Sequence, residues 1–202
     1  MDSIGEYAFQ NCTALKSVEL PAGLKALSRY VFNGCTSLGS IVLPDGLETI
    51  GNSAFSNCTA MTSITMGDKI KSVGDGAFVN CEALADVCYK GSLSEWMRID
   101  MLADTYPEET CPLSFASRLY VDYGTDNQQI VTDLVVPEDI TTVKDYAFAG
   151  YKGLTSAVFP AHVKEIGREA FSYCTQLAQA EIHAQRIGGY AFFHSNRLKN
   201  VV

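Results

Sequence analysis

The feature that most constrains this 202-residue chain is a repeat of 23 residues. An Ala-Phe or Val-Phe pair recurs at that interval at Phe9, Phe32, Phe55 and Phe78. After a step of 70 residues it returns at Phe148, and then at Phe171 after 23 residues and at Phe192 after 21. An aliphatic residue precedes each phenylalanine by five positions, and another aliphatic residue follows it by six. A unit this short cannot bury its apolar side alone, so the repeat predicts a stack of similar coils, which is a solenoid.

Each coil contains a segment that is typical of a short strand. The segment reads L-x-x-V-x-L, as in Leu38-x-x-Ile41-x-Leu43, and its last three residues alternate between apolar and polar. Proline follows several of these segments, where it can end a strand without donating to a ladder (Pro21, Pro44, Pro137 and Pro160). Eight such segments at about 4.8 Å between strands would form one parallel sheet about 40 Å long.

The repeat resembles the leucine-rich repeats of BspA-like bacterial surface proteins, whose unit reads approximately I-G-x-x-A-F-x-x-C-x-x-L-x-x-V-x-L-P. The segments from Ile50 to Met61 and from Ile166 to Leu177 match this unit almost completely. The resemblance implies an α/β-type, right-handed superhelix with irregular or short helical return segments. It differs from the better-known leucine-rich repeat in lacking the asparagine after the strand, so no asparagine ladder is expected.

Residues 1–202 are interpreted as one solenoid, with regular repeats over 4–87 and 131–202 and a modified coil pair over 88–130. Within the insertion, Ser92 to Ile99 has the cap and apolar spacing of a short helix anchored by Trp96. The segments 119–121 and 129–131 flank turn-forming residues and predict a hairpin. The insertion is expected to have a structural role in packing, and ligand binding is the alternative. Because both ends fall inside a repeat, the native protein is expected to continue in both directions.

Composition and charge remove several classes of function. Hydrophobic residues make up 47% of the chain and charged residues 19%, as in ordinary folded domains. The formal net charge is −8 and no basic cluster follows the chain, so nucleic acid is not an expected partner. No stretch approaches 18 consecutive apolar residues, so no membrane insertion by this segment is expected.

The seven cysteines follow the repeat. Five of them lie three residues after a phenylalanine, at Cys12, Cys35, Cys58, Cys81 and Cys174. Stacked coils would point these side chains inward in parallel, which suits free buried thiols better than disulfides. The alternative is one disulfide between Cys88 and Cys111. No Cys-x-x-Cys motif or close Cys/His pair indicates a metal site.

No residues of the chain form a recognised catalytic pattern. His162, His183 and His194 lie in different coils, and no nucleophile stands at a familiar spacing from a base. The adjacent Glu108 and Glu109 follow Pro107 and are interpreted as a solvated turn. We therefore expect a protein that is not an enzyme, with no catalytic residue, cofactor or metal.

The outward positions of the predicted strands form the candidate binding site. Two columns of side chains alternate with the inward aliphatic residues and should face solvent. The first column holds Ser17, Ser40, Ser63, Asp86, Asp133, Ser156 and Gln179, and the second holds Glu19, Val42, Thr65, Cys88, Val135, Val158 and Glu181. The middle of the second column is apolar or β-branched, which indicates either a partner surface or strand preference alone.

Two functions remain open at this stage. One is an extracellular, non-enzymatic module for recognition or adhesion, which the resemblance associates with host or neighbouring-cell proteins such as matrix proteins or mucosal glycoproteins. The other is a passive spacer that holds another domain away from the cell surface. A glycan hydrolase would need convergent carboxylates in a cleft, and the sequence shows none.

Overall fold

The computed structural model describes residues 3–105 and 109–201. Short strands dominate this part of the chain, together with one helix. The strands are β1 (Ala26–Leu27), β2 (Ser40–Val42), β3 (Thr49–Ile50), β4 (Ser63–Met66), β5 (Ser72–Gly74), β6 (Asp86–Tyr89), β7 (Asp100–Leu102), β8 (Arg118–Val121), β9 (Gln129–Ile130), β10 (Asp133–Val135), β11 (Thr142–Val143), β12 (Ser156–Phe159), β13 (Glu165–Ile166), β14 (Gln179–Ile182), β15 (Arg186–Ile187) and β16 (Asn200–Val201). The helix α1 (Leu93–Trp96) has four residues.

The strands stack in two parallel columns, one on each side of the core. The front face consists of the sheet β2-β4-β6-β8-β9 followed by the sheet β10-β12-β14-β16. The back face consists of β1-β3-β5-β7 followed by β11-β13-β15. All pairs within these sheets are parallel except β8 with β9, which is antiparallel. We call the boundary between the first and the second sheet of each face the seam.

The back face corrects the predicted fold class. The sequence predicted one parallel sheet with irregular or short helical return segments in an α/β fold. The described return segments instead contain strands, whereas α1 is the single helix of the described residues. Pairs such as Thr49-Ile50 and Thr142-Val143 explain the difference, because β-branched residues favour extended backbone and two residues suffice for a rung. The fold is a β-solenoid.

Tight turns at each phenylalanine connect the back strand to the front strand. The residues two before and two after the phenylalanine adopt positive φ in every regular coil, as in Ser53 (φ 52°) and Asn57 (φ 62°) around Phe55. Such alternation prevents a helix, because helices need successive right-handed residues. The phenylalanine amides then bond to the next coil, as when Phe32 N donates to Ala54 O at 2.9 Å.

The core consists of the columns that the repeat predicts. The rings of Phe32 and Phe55 stack with centroids 5.6 Å apart, and those of Phe148 and Phe171 at 5.2 Å. Aliphatic residues of both strand columns pack around them and are buried from Leu24 to Leu177. The stack therefore buries a continuous apolar column that no single coil could bury.

The insertion forms the seam. Strands β7 and β8 complete one further coil, and the chain then reverses through β9 before β10 begins the second front sheet. The predicted hairpin is present, and the predicted helix is present but shorter. A capping box between Ser92 and Glu95 begins α1, and Met97 ends it. Trp96 is fully buried, as its expected anchoring role requires.

Candidate functional site

The front face carries both predicted columns from Ser40 and Val42 onward, whereas Ser17 and Glu19 lie outside the strands, so their predicted rung is not formed. In the first sheet Ser40, Ser63 and Asp86 lie side by side, as do Val42 and Thr65. In the second sheet the aligned residues are Asp133, Ser156 and Gln179 in one column and Val135, Val158 and Glu181 in the other. The seam separates the two groups, so the predicted columns form two patches instead of one continuous face.

Two aliphatic side chains of the predicted columns are strongly exposed. Val42 is 61% exposed and Val135 is 59% exposed. Their strand neighbours Thr65 and Val158 are half-buried. Most valines in strands are buried in a core. The strong exposure of Val42 and Val135 therefore needs an explanation other than core packing.

Cys88 is an exception within the second column. It was expected to face solvent, yet it is only 6% exposed. Tyr123 follows β8 and its amide donates to Tyr89 O at 3.0 Å, which places the Tyr123 side chain near Cys88. Burial raises the pKa of the Cys88 thiol. The chain after β8 therefore covers this position, and Cys88 is not part of the exposed site.

Shallow concavities lie at both ends of the front face. The first has a volume of about 610 Å³ and includes four predicted residues, Ser17, Glu19, Ser40 and Val42. The second has a volume of about 490 Å³ and includes Ser156, Val158, Gln179 and Glu181. Their linings mix aliphatic, hydroxyl and charged groups, which is the composition of a partly polar recognition surface.

Acidic groups in the first column are held by neighbouring side chains. Asp133 accepts hydrogen bonds from the hydroxyls of Ser156, Thr155 and Thr132, at 2.5, 2.9 and 3.1 Å. These hydrogen bonds, led by that of Ser156, lower the pKa of Asp133. The carboxylate therefore stays charged and oriented in the column at neutral pH.

Sequence reasoning missed two members of the columns. Arg118 lies beside Asp86 and Tyr120 lies beside Cys88 in β8. Arg118 pairs with Asp86 through both carboxylate oxygens, with Nη2 to Oδ2 at 2.8 Å. The inward spacing of Ala116, Leu119 and Val121 repeats the strand pattern and could have located this rung, but the 32-residue step from β6 concealed it.

The cysteines are free thiols throughout the chain. Cys88 and Cys111 therefore do not form the alternative disulfide. In the column, the Cys58 thiol donates to the phenylalanine carbonyl of the preceding coil, Phe32 O, at 3.2 Å. Cys35, Cys81 and Cys174 donate in the same way to Phe9 O, Phe55 O and Phe148 O. Cys12 departs from the expectation of burial, because it is exposed.

The remaining polar candidates do not converge. His162 contacts Pro137 O at 3.0 Å and His183 contacts Glu181 at 2.8 Å, in different coils. Glu109 is more than a residue of a solvated turn, since its carboxylate accepts from Asn80 N at 3.0 Å. Glu108 and Pro107 lie outside the described residues. Where the structure describes the chain, no group of three or more potential ligands is placed to hold a metal ion.

Over residues 3–105 and 109–201, no helix has the length and apolar character that crossing a bilayer requires.

Comparison with known proteins identifies relatives of this architecture. A family model described as a BspA type leucine rich repeat region matches in six copies over residues 1–98 and 125–202. Among solved structures, the chain is similar to a leucine-rich repeat protein of T. pallidum, with 22% identity and a TM-score of 0.50 over 98% of this chain and 71% of that one. It is also similar to a leucine-rich cell surface protein of Faecalibacterium prausnitzii, with 23% identity and a TM-score of 0.54 over 93% and 45%.

A further similar structure is the pneumococcal vaccine antigen PcpA, with 16% identity and a TM-score of 0.51 over 89% of this chain and 54% of that one. The chain thus spans about half the length of two of these three proteins. At these identities the likeness concerns the fold. A search of curated protein sequences finds no match.

Proposed function

The chain belongs to the BspA-type leucine-rich repeat family of bacterial surface proteins, and on that premise we propose that it is an extracellular, non-enzymatic adhesion module. Its front face would bind a protein of a host or of a neighbouring cell, such as a matrix protein or a mucosal glycoprotein. The repeat family fits protein interaction, and a stacked solenoid offers an extended surface for it.

The observation that carries this proposal is the exposure of Val42 and Val135 on the front strands. Both side chains are about three-fifths exposed. Val42 lies beside Thr65 and two residues from Ser40, and Val135 lies beside Val158 and two residues from Asp133. Apolar centres surrounded by polar groups are the usual arrangement of recognition surfaces, in which a few buried anchors carry the affinity. We expect the two valines to be such anchors.

The second candidate is a passive spacer. The regular stack of rungs supports it, because such a stack is extended and positions whatever is attached to either end. A spacer does not depend on particular side chains on its front face, so it tolerates polar substitutions there that leave the fold intact. The two candidates therefore differ in how they respond to charge on the front strands.

The test compares matched variants on the two faces. The front variant carries Val42→Asp and Val135→Asp, and the control carries Leu102→Asp and Ile187→Asp, two aliphatic residues on back strands that are 54% and 50% exposed. Each protein is passed over immobilised fibronectin, laminin, collagen and mucin, after circular dichroism and thermal unfolding have confirmed that it is folded.

Adhesion predicts saturable binding of the unmodified chain to one of these surfaces and at least a tenfold loss in the front variant, because a buried carboxylate leaves an unpaired charge. The control variant should bind as the unmodified chain does. Equal binding by both variants would contradict the front-face site, and no binding to any surface would favour the spacer.

A further inference from the structure

The turns at the phenylalanines form one edge of the solenoid, and the side chains on this edge differ between the start and the end of the chain. The residue two positions after the phenylalanine is small or an amide in the first four coils and becomes aromatic in the last two. The column reads Asn11, Gly34, Asn57, Asn80, Gly150, Tyr173 and His194, and the neighbouring column reads Gln10, Asn33, Ser56, Val79, Ala149, Ser172 and Phe193. These two columns thus present different side chains in the two halves, whereas the column of Tyr190 also holds Tyr7 and Tyr30 in the first half.

These aromatic residues touch one another at the surface. The Tyr173 ring stacks on His194 with centroids 5.0 Å apart and meets Phe193 edge-on at 5.7 Å. Tyr190 meets Phe193 edge-on at 5.4 Å. Tyr173, Tyr190 and Phe193 are 38%, 64% and 42% exposed. With Phe115, which lines the adjoining cavity, we call these four residues the aromatic edge.

A cavity of about 270 Å³ joins the aromatic edge to the seam. Phe115 and Tyr173 contribute rings to its lining, Ser114 and Thr175 contribute hydroxyls, and Lys152 and Glu109 contribute charges. The Lys152 ammonium lies 5.8 Å from the centre of the Phe115 ring. Cavities with apolar walls and a few convergent polar groups are where small ligands bind.

Gly150 allows its own coil to pack closely against the coil that contains Ser114, next to this cavity. It has φ +77°, and a Cβ there would lie 2.5 Å from Ser114 Cα. No larger residue could occupy the position without separating the coils, so the cavity depends on local backbone geometry as well as on its side chains.

The net charge also differs between the two parts of the chain. Residues 140–202 contain seven Lys or Arg and four Asp or Glu, whereas residues 1–139 contain eight and nineteen. The aromatic edge lies mostly in this net positive part of an acidic protein. The carboxylate that faces the cavity, Glu109, accepts a hydrogen bond from Asn80 N at 3.0 Å. Lys152 supplies the positive charge of the cavity lining.

We propose that the aromatic edge binds an acidic carbohydrate, such as a sialylated or sulfated glycan. The apolar face of a sugar ring would stack on Tyr173 or Tyr190, hydroxyls of Ser114 and Thr175 would bond sugar hydroxyls, and Lys152 would pair with the acid group. A carbohydrate fits better than a protein because the large apolar side chains exposed on this edge are all aromatic, whereas exposed aliphatic ones lie on the strands.

This site is separate from the front-face site of the proposed function. The aromatic edge lies on the turns between back and front strands and shares no residue with the valine patches. Loss of one binding activity should therefore leave the other intact, and the two proposals can fail independently.

The test uses substitutions that the repeat itself supplies. Tyr173→Asn, Tyr190→Ser and Phe193→Ser each introduce a residue that the same column holds in another coil, at Asn57, Ser53 and Ser56. Asn57 and Ser53 already adopt positive φ, so the backbone should be preserved. The matched control is Tyr30→Ser, which is the Tyr190 substitution at the same column in the acidic half.

The probes are sialyllactose, a heparin oligosaccharide and neutral lactose, titrated by calorimetry. We expect at least one acidic probe to bind, at least tenfold weaker binding in the triple variant, and unchanged binding in the Tyr30→Ser control. Lys152→Ala should weaken binding of the acidic probe and leave binding of lactose unchanged. Raising the ionic strength from about 0.01 M to about 0.15 M should also weaken binding, because the screening length falls from about 30 to about 8 Å.

The proposal would be overturned if neither acidic probe bound, or if lactose bound as tightly as the acidic probes. It would also be overturned if the triple variant bound the acidic probes as well as the unmodified chain does. Each variant is first shown to unfold at the same temperature as the unmodified chain, which separates loss of the site from loss of the fold.

Discussion

The indole nitrogen of Trp96 donates a hydrogen bond to the carbonyl oxygen of Ala147 at 3.0 Å, across the seam. In the regular coils the corresponding carbonyl accepts from the phenylalanine amide of the preceding coil, as Ala54 does from Phe32. The insertion thus supplies from a side chain the donor that a standard coil supplies from its backbone. This relationship explains why a tryptophan anchors α1.

Trp96→Phe should reduce the free energy of unfolding by about 1–3 kcal/mol, because an aromatic ring remains but the buried Ala147 carbonyl loses the indole donor and keeps only the long contact with the Cys111 thiol at 4.0 Å. Trp96→Ala should cost about 3–5 kcal/mol by leaving a cavity at the seam. Since each coil contacts only its neighbours, the alanine variant should also separate the unfolding of the two halves into two transitions in urea. A single transition of unchanged midpoint would contradict this role for Trp96.

The repeat made much of the core predictable. The positions of the phenylalanine, cysteine and aliphatic columns follow from spacing alone, because stacking places equal offsets side by side. The back strands were missed because two residues such as Thr49-Ile50 are too short to show a period of two. The four-residue helix α1 was placed correctly by its cap, and its early end at Met97 could not be read from the pattern.

The candidate site was less predictable than the core. The exposed valines were found because outward positions in a strand follow directly from the inward ones. The burial of Cys88 could not be found, because it depends on Tyr123 beyond the end of β8. The hairpin of β8 and β9 was predicted from its turn-forming residues, but the break at the seam was not, because a hairpin pattern alone does not tell whether the parallel stack continues beyond it.

Cys58→Ser should be tolerated better than Cys58→Ala. The Cys58 thiol donates to Phe32 O, and Ser195 already makes the equivalent bond to Phe171 O at 2.8 Å. Alanine would leave the Phe32 carbonyl without this donor and a small void beside it, at a cost of about 1–3 kcal/mol, whereas serine keeps the bond. Chemical denaturation of both variants tests the order, and equal stability would show that the thiol acts through its volume alone.

Thiol reagents should distinguish Cys12 from the other six cysteines. Burial raises the pKa of Cys81 and Cys111 to about 12 and also raises the pKa of Cys58 and Cys174, so their thiolate forms are scarce at pH 8. Cys12 is exposed. We expect one rapidly labelled thiol in the folded chain and seven in guanidinium, with the rapid reaction absent from Cys12→Ser. Rapid labelling of several thiols would indicate that the column opens readily.

Acid should weaken the contact between α1 and the second half of the solenoid. Asp139 accepts from Arg98 and Ser94, each at 2.7 Å, and these bonds lower the pKa of Asp139 below its usual 3.8. A depressed folded-state pKa contributes stability above the unfolded value, and this contribution is lost as the pH falls through the lower folded value. Asp139→Asn should therefore lower the stability at pH 7 by the small amount typical of an exposed ion pair, and the two proteins should become equally stable as the pH falls below 3.8.

Thermal unfolding between about pH 2 and pH 7 would check this effect. The Glu138→Gln variant serves as the neighbouring control, since Glu138 is exposed and next to Asp139 in sequence. Identical pH profiles for all three proteins would mean that the contact contributes nothing measurable.

Tyr151 occupies the cysteine position of its coil and closes the seam from the inside. Its hydroxyl accepts from Leu119 N at 2.9 Å and donates to Val131 O at 2.7 Å. Tyr151→Phe keeps the ring and leaves both buried backbone groups without this partner, so the free energy of unfolding should fall by about 1–3 kcal/mol. Tyr190→Phe, at an exposed ring, should change stability by less than about 0.5 kcal/mol. Hydrogen exchange gives the local measurement, because the Leu119 amide should lose protection in Tyr151→Phe before the amides of β4 do, and equal protection would show that the hydroxyl does not hold the seam.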